Sequence, residues 1–385
     1  ILIGLVGSEM CIRDRHYASW ISMMVSDFRT LKISVIGAGN GGQAIAGYCA
    51  SLGMSVCLYN RNIEKIAPIL QTHTIELQGT IFCKGYIDVI TSSLETAATY
   101  SDILMIATTA TAHREIASKM CPYLKNGQII VLNPGRTLGV LDFYSVINAM
   151  RPDLEVFIAE AQTLMFACRE TEPGKVNIIG LKDKVLLSGR SHVETEFVIR
   201  HLSPFFPFFI PASNLIQTSL ENIGSIFHPS VVLFNAATIE RNIPFYFYRD
   251  MTPKIASFIE KLDKERIEVG EAFGQKLMPV SDWIVYAYPS TVGNTLCERM
   301  KNNPAYYDIL APGSIFTRQL TEDIPTGLIP MSDLGKAVGV KTPLMDSIIT
   351  ITSSLLNIDF RQKGRTLLNL HLDRLNKEQI IDYLS

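Results

Sequence analysis

The sequence predicts an α/β N-terminal domain of alternating strands and helices, followed by a mostly α-helical domain. Three observations carry that prediction. A β-branched run near the N-terminus ends in a glycine-rich turn. A series of short apolar runs spaced by helical patterns follows it, and the second half changes to amphipathic helices. At 385 residues the chain is too long for one ordinary core, so two domains are the default.

Ile33, Val35 and Ile36 form the short apolar run of a buried parallel strand. Gly37-Ala38-Gly39-Asn40-Gly41-Gly42 follows, and then a helical pattern (Ala44, Ile45, Ala46, Tyr48, Cys49, Leu52) stops at Gly53. Met54 to Tyr59 reads as a second strand. Glycine suits the turn because the chain must pass tightly from strand to helix, approach a pyrophosphate closely and let the helix press onto the sheet. The free N–H groups and positive dipole end of that helix hold the phosphates. A lone G-x-G-x-x-G is weak. With strand before, helix after and second strand in place, it marks a Rossmann-type dinucleotide site. Gly37, Gly39, Asn40, Gly41 and Gly42 are its phosphate-binding turn.

The end of the second strand selects the cofactor. An acidic side chain there would bind the ribose 2′-hydroxyl of NAD. This chain offers Tyr59-Asn60-Arg61. Asn60 carries no charge to repel a 2′-phosphate, and Arg61 can pair with one. NADP(H) is therefore expected over NAD(H), the alternative being that Arg61 is a solvated loop charge.

The totals exclude several classes. Apolar residues make up 47% of the chain and mean hydropathy is +0.20, which suits a folded core and not disorder. Net charge is −2 without a basic block, so the footprint of a nucleic-acid binder is missing. Seven cysteines are scattered without a C-x-x-C pair, which reads as reduced thiols in a cytoplasmic protein and not as a disulfide frame or zinc site. Ile1 to Gly7 is apolar but too short to span a bilayer, and it lacks the basic flank of a signal peptide. No membrane association is expected. Ser8 to Thr30 shows no pattern, so the native start is expected at Met23 or Met24, with residues 1–22 an extension foreign to the fold.

The α/β pattern continues through Asp88-Val-Ile-Thr91 and Asp102-Ile-Leu-Met-Ile-Ala107. A loop (Thr108 to His113) then enters a helix running from Arg114 to Leu124. Gln128 to Leu132 is another strand, ending in Asn133-Pro134-Gly135-Arg136. Ligands in such sheets lie beyond the carboxyl ends of the strands, so nicotinamide and substrate are expected at 108–113 and 133–136. His113 is a candidate contact by position, with a backbone-bonded histidine as the equal alternative. Val156 to Glu160 and Leu164 to Arg169 read as strand and loop, and Val176 to Leu187 as a strand pair with Gly180 at its turn. Ser203 to Pro211 holds three prolines and several aromatics, which forbid a regular helix and place the domain crossing there. The boundaries drawn are therefore 1–30 extension, 31–210 Rossmann domain and 211–385 helical domain.

In the second half, Lys254 to Phe273 is amphipathic. Ile255, Phe258, Ile259, Leu262 and Ile267 lie on one face, with Glu260, Lys261, Asp263, Lys264 and Glu265 on the other. Glu260 and Lys264 are spaced to pair at i,i+4. Asp333 to Val338, Pro343 to Leu356 and Lys377 to Leu384 also read as helical.

Two segments there could carry chemistry. His228 lies in an apolar stretch directly before Pro229, which places it at the end of an element. It is a candidate acid/base or a hydrogen-bonded core histidine. Later, Arg318 could grip a carboxylate and Asp323 could orient a histidine, though alone the two read as a surface ion pair.

HPxxxLFNA around His228, NNPAYxxIxAP (Asn302 to Pro312), TRxxxEDxxTGLIPxSxLG (Thr317 to Gly335) and DFRxxGRTLxxL (Asp359 to Leu370) together resemble the opine dehydrogenase family. They are similar in particular to its bacterial N-(1-carboxyethyl)amino-acid dehydrogenase branch, and the likeness runs from about Leu31 to the C-terminus. The resemblance implies NAD(P)H-dependent reductive condensation of an L-amino acid with a 2-oxo acid, commonly pyruvate. It also implies His228 as acid/base, Asp323 as its partner and Arg318 as the grip on a substrate carboxylate between the domains. Glu160 and Gln162 face the amino-acid pocket by their order in the chain, without an assigned role. Asn60 departs from the acidic residue of NAD-using relatives, and Arg61 resembles NADP-using members. The runner-up readings are a simple 2-ketoacid reductase and a nucleotide-binding sensor without turnover. The enzyme works alone or as a homodimer.

Overall fold

The computed structural model describes residues 31–384. The expectation that residues 1–22 are foreign to the fold lies outside them. The chain packs as two units, one running to Ala107 together with Cys168–Ile179, the other comprising Thr108–Ala167 and Gly180–Ser385.

In the first unit, strand β1 (Lys32–Ile36) runs through the glycine turn into helix α1 (Asn40–Ser51) and on to β2 (Ser55–Tyr59). Strand β3 (Val89–Thr91), helix α2 (Leu94–Tyr100) and β4 (Ile103–Ile106) follow. Strand order is β4-β1-β2-β3, with each pair parallel and Ile36 opposite both Tyr59 and Ile106. All four residues of β4 and the last four of β1 are buried, as β-branched and apolar runs covered on both faces should be. A small second sheet orders Cys83–Tyr86, Thr74–Gly79, Lys175–Leu181 and Phe166–Glu172.

The second unit begins with α3 (His113–Met120), β5 (Ile129–Leu132), α4 (Gly139–Met150) and β6 (Phe157–Ala161). Next come β7 (Val185–Ser188), α5 (His192–Leu202) and β8 (Phe209–Pro211). Strand order there is β8-β7-β6-β5, with β7 antiparallel to β6. Helices take over with α6 (Leu215–Leu220), α7 (Gly224–Phe234), α8 (Pro253–Ala272), α9 (Ile329–Val338) and α10 (Pro343–Leu356). The fold class read from the pattern, a Rossmann-type domain with a helical C-terminal half, is the one observed.

Three local readings are corrected. Gly180 lies inside the strand Lys175–Leu181, and the chain turns after it. Pro229 neither starts nor ends a helix: α7 runs through it. Pro229 is the sixth residue of α7, past the four N–H groups that have no intrahelical partner, so the helix gives up the bond to the Ser225 carbonyl and continues. Finally, Asp263 and Glu265 are buried and not on the wet face of α8. Asp263 accepts from Arg266 at 2.7 Å and from the Val280 N–H at 2.7 Å, while Glu265 caps the start of α10 through the N–H groups of Leu344 and Met345. Lys264 pairs at i,i+4 with Glu268, at 3.7 Å. Periodicity alone assigned those carboxylates to solvent. Buried partners reversed it, as the rule that buried charges are paired requires.

Among the described residues no helix is long and apolar enough to cross a membrane, no acidic or Cys/His cluster could hold a metal ion, and Cys49, Cys57, Cys83, Cys121 and Cys297 are free thiols.

Candidate active site

The dinucleotide turn is built from backbone. Gly37 adopts φ 110°, a left-handed conformation that side chains disfavour. A Cβ at Gly42 would lie 1.8 Å from the Gly37 carbonyl oxygen, so helix α1 could not start so close to the strand with any other residue there. Over Gly39 the space is open: an added Cβ meets nothing within 4 Å. The start of α1 carries no side-chain cap and no acidic residue in its first turn. Uncapped N–H groups, a positive dipole end and open space above them fit a pyrophosphate. Gly39, Asn40, Gly41 and Gly42 would hold it.

The turn is braced by residues that the motif does not contain. Gln43, fully buried, donates to Ala38 O (2.8 Å) and to Glu170 (2.7 Å) and accepts from the Gly174 N–H (2.8 Å). Asn40 accepts from the Glu170 N–H at 3.2 Å. At the end of β2, the Asn60 N–H bonds Thr91 O and its side chain bonds Asn62 O, while Arg61 is exposed.

In the second unit, residues far apart in sequence converge. His228 projects from α7 with its side chain 20% exposed, and its Nδ1 lies 2.6 Å from Asp323 Oδ2. Nε2 lies 3.0 Å from the Tyr248 hydroxyl. A carboxylate only accepts, so in the neutral ring the proton sits on Nδ1 and Nε2 accepts from Tyr248. Arg136 closes the group. Its Nη1 is 3.2 Å from Asp323 Oδ1 and its Nε 3.6 Å from Glu322 Oε1. Burial alone would raise the Asp323 carboxyl, but Arg136, His228 and Arg318 outweigh it and hold it below the usual carboxylate range.

Against Gly135 lies a fully buried carboxylate, Glu160. It accepts from the Thr218 and Ser219 hydroxyls (2.8 Å each) and from the Val140 N–H (3.0 Å). Burial pushes its carboxyl up to about 7 against the pull of those donors and of Arg365. Arg365, 4% exposed, donates to Gly135 O, Thr137 O and Ala110 O and pairs with Asp142 at 2.8 Å.

Of the residues singled out from the sequence, His228 and Asp323 meet. Arg318 is exposed at the start of the short helix Arg318–Thr321 and acts on Asp323 through its charge alone. His113 is fully buried at the start of α3, takes a 3.0 Å contact from Arg365 where a backbone bond was the alternative expected, and packs edge-on against Phe143. Burial, and after it Arg365 and Arg136, push it well below the ordinary histidine range. Glu160 is fully buried against Gly135 and Gly139, and half-buried Gln162 bonds the Leu186 N–H of the neighbouring strand. Arg136, Tyr248 and Glu322 were not singled out as site residues. The one signal for Arg136 was its place in a loop at the carboxyl end of β5; nothing in the sequence marked Tyr248.

Comparison with known proteins gives the class first. Residues 32–135 match the NAD-dependent glycerol-3-phosphate dehydrogenase N-terminus. Residues 211–356 match the NAD/NADP octopine/nopaline dehydrogenase alpha-helical domain. The chain is an NAD(P)-dependent oxidoreductase acting on CH–NH groups. An opine dehydrogenase of Arthrobacter sp. (strain 1C) is 35% identical over 344 residues, covering 89% of this chain and 95% of the relative. The octopine dehydrogenase of Pecten maximus is 25% identical over 83% of this chain and 89% of its own. On this likeness the chain belongs to the opine dehydrogenase family, as its motifs implied. Among solved structures, octopine dehydrogenase with NADH and L-arginine superposes with a TM-score of 0.77 at 20% identity, covering 91% of this chain and 98% of the other. Yersinopine dehydrogenase with NADP+ gives 0.65 at 16% identity over 92% and 98%. Both show the same fold.

Proposed function

We propose that the chain condenses an L-amino acid with pyruvate, using His228 as acid/base, Asp323 as its partner and NADPH in preference to NADH. The observation that carries this reading is the 2.6 Å contact between His228 and Asp323, two residues 95 positions apart.

The chemistry assigns work to each side chain. The amine of the amino acid adds to the ketone carbon, and His228 Nε2 takes the proton that the nitrogen sheds and returns it to the ketone-derived alkoxide, which gives the neutral carbinolamine. A second transfer through Nε2 moves the remaining N–H proton to the hydroxyl, which leaves as water and gives the imine. Nδ1 is committed to Asp323, so only Nε2 exchanges protons with substrate, after Tyr248 gives way. Asp323 keeps the ring oriented and stabilises the imidazolium between those two transfers. Arg318, exposed and positive, takes a substrate carboxylate. The nicotinamide cofactor, when its pyrophosphate is held at the glycine turn, supplies hydride chemistry.

The NADPH preference is supported by Asn60, which brings no negative charge, and by exposed Arg61. The placement of the substrate-handling domain at 211–385 is supported by the helical-domain match that begins at residue 211. A cytoplasmic setting is supported by the free thiols. The test is NADPH and NADH oxidation with pyruvate, with and without a panel of L-amino acids, followed by identification of the product. Oxidation that depends on one amino acid and yields its N-(1-carboxyethyl) derivative is expected. Oxidation by pyruvate alone, at an unchanged rate, overturns the reading in favour of a 2-oxo acid reductase.

A further inference from the structure

We propose that Arg136 is a positioning residue for the acid/base pair, fixing Asp323 as a carboxylate with one oxygen turned to His228 and the other to the guanidinium. The inference rests on the role proposed above for His228.

Asp323 is 1% exposed and has two oxygens with separate duties. Oδ2 takes His228 Nδ1 at 2.6 Å and Oδ1 faces Arg136 Nη1 at 3.2 Å. Immediately before it, Glu322 is buried as well, with Oε1 accepting the Ala110 N–H at 2.9 Å and Oε2 without a hydrogen-bond partner. Two adjacent buried carboxylates repel, and one of them would take up a proton unless a cation lies between them. Among the described residues Arg136 is the one Lys or Arg within ion-pair distance of either. If Asp323 were the acid that became protonated, His228 Nδ1 would face a neutral carboxyl, a weaker acceptor without the charge that steadies the imidazolium.

The fold spends several constraints on presenting this guanidinium. Arg136 stands at φ 63°, a conformation uncommon outside glycine. Arg365 clamps the carbonyls on both sides of it, Gly135 O at 2.7 Å and Thr137 O at 3.1 Å. Gly135 must be glycine, since a Cβ would come within 2.3 Å of Glu160 Cβ. Asn222 Oδ1 accepts from Arg136 Nη1 at 3.2 Å. A Cβ on Gly224 would lie 3.1 Å from both Arg136 Nη1 and His228 Cε1, so the guanidinium and the imidazole share the space that this glycine leaves open. The groups that face the pair are thus Arg136, Glu322 and Tyr248, with the charge of Arg318 beyond them. His113 lies behind Arg136 and is held neutral by burial, then by Arg365 and Arg136 itself.

The test is the pH dependence of kcat for the wild type, Arg136→Met, Arg136→Lys and Glu322→Gln, alongside titration of the Asp323 carboxyl by NMR in aspartate-labelled protein. Removing the positive charge should move the titration of the His228–Asp323 pair, and the pH profile with it, higher by about one pH unit or more. Arg136→Lys should restore most of the displacement. Glu322→Gln, which removes a competing negative charge, should move the profile in the opposite direction. A side chain that only filled space would lower kcat at every pH without displacing the profile. That result, or displacement in one direction by both Arg136→Met and Glu322→Gln, overturns the proposal. Should Arg136→Met fail to fold, Glu322→Gln and Arg136→Lys still decide. The NMR titration needs no turnover, so failure of the acid/base reading, seen as full activity in His228→Ala, stays distinguishable from failure of this one.

Discussion

The glycine turn and the His228 cluster are built on opposite principles. The turn is a backbone site. Its work is done by N–H groups, open space above Gly39 and the close approach of Gly42 to the Gly37 carbonyl, so all its parts sit within six consecutive residues. The cluster is a side-chain site. Arg136, His228, Tyr248, Glu322 and Asp323 come from separate stretches of the chain, and their contacts exist only once the second unit has folded. A backbone site is legible as spacing; a side-chain site is legible only as far as motifs name its members.

The contrast predicts effects that separate cleanly, the largest first. His228→Ala should lower kcat by ~10²–10⁴, the usual worth of a general acid/base, while cofactor affinity stays within a few-fold. Gly42→Ala should do the reverse. Its Cβ would collide with the Gly37 carbonyl, so nicotinamide binding followed by fluorescence should be lost while the His228 NMR signal is unchanged. If either variant damages both readouts equally, the separation fails.

Arg365 sharpens the same comparison on the side of stability. It neutralises buried Asp142 and closes three carbonyls, so Arg365→Met should cost about 3–5 kcal/mol, as breaking a buried pair does. Thermal or urea unfolding would read it, and a cost below about 1 kcal/mol would show that the network is not what holds the 135–138 loop.

Glu160 makes the second unit pH-sensitive. Its carboxyl is raised from the ordinary 4.5 to about 7, so the folded state binds the extra proton between those values. Stability on this account is fully present below the unfolded value and declines as pH rises toward 7. A tenfold gain in proton affinity on folding is worth about 1.4 kcal/mol, which makes the whole effect ~3 kcal/mol. Urea unfolding from pH 5 to 8 should show that decline in the wild type and a flatter profile in Glu160→Gln. Identical slopes would contradict it.

The smallest effect belongs to the cofactor end. Arg61→Ala should reduce the NADPH-over-NADH ratio of kcat/KM by about tenfold, near the lower worth of a charge-assisted bond. An unchanged ratio would make Arg61 a solvated loop charge.

Much of the architecture was legible for physical reasons. The runs 33–36, 103–106 and 129–132 are apolar because strands covered on both faces must be, and the proline-rich stretch 203–211 forms no helix. His228 and Asp323 were singled out because motifs pointed to them. Pro229 misled because a missing N–H costs one helical bond, and α7, buried along most of its length, continues without it. Asp263 and Glu265 misled because a charge on a helical wheel looks solvated until its buried partners, Arg266 and the start of α10, are known. Arg136 and Tyr248 were beyond a one-dimensional reading: nothing in Asn133-Pro134-Gly135-Arg136 says which carboxylates wait 186 and 187 positions downstream.

The central claim is that His228 and Asp323 work as one unit, and a double-mutant cycle on kcat tests it most directly. Starting from His228→Ala, the further change Asp323→Asn should cost almost nothing, because the residue it served is already gone. Losses that multiply, each variant lowering kcat as much in the other's background as in the wild type, would mean that the 2.6 Å contact joins two groups without joining their chemistry.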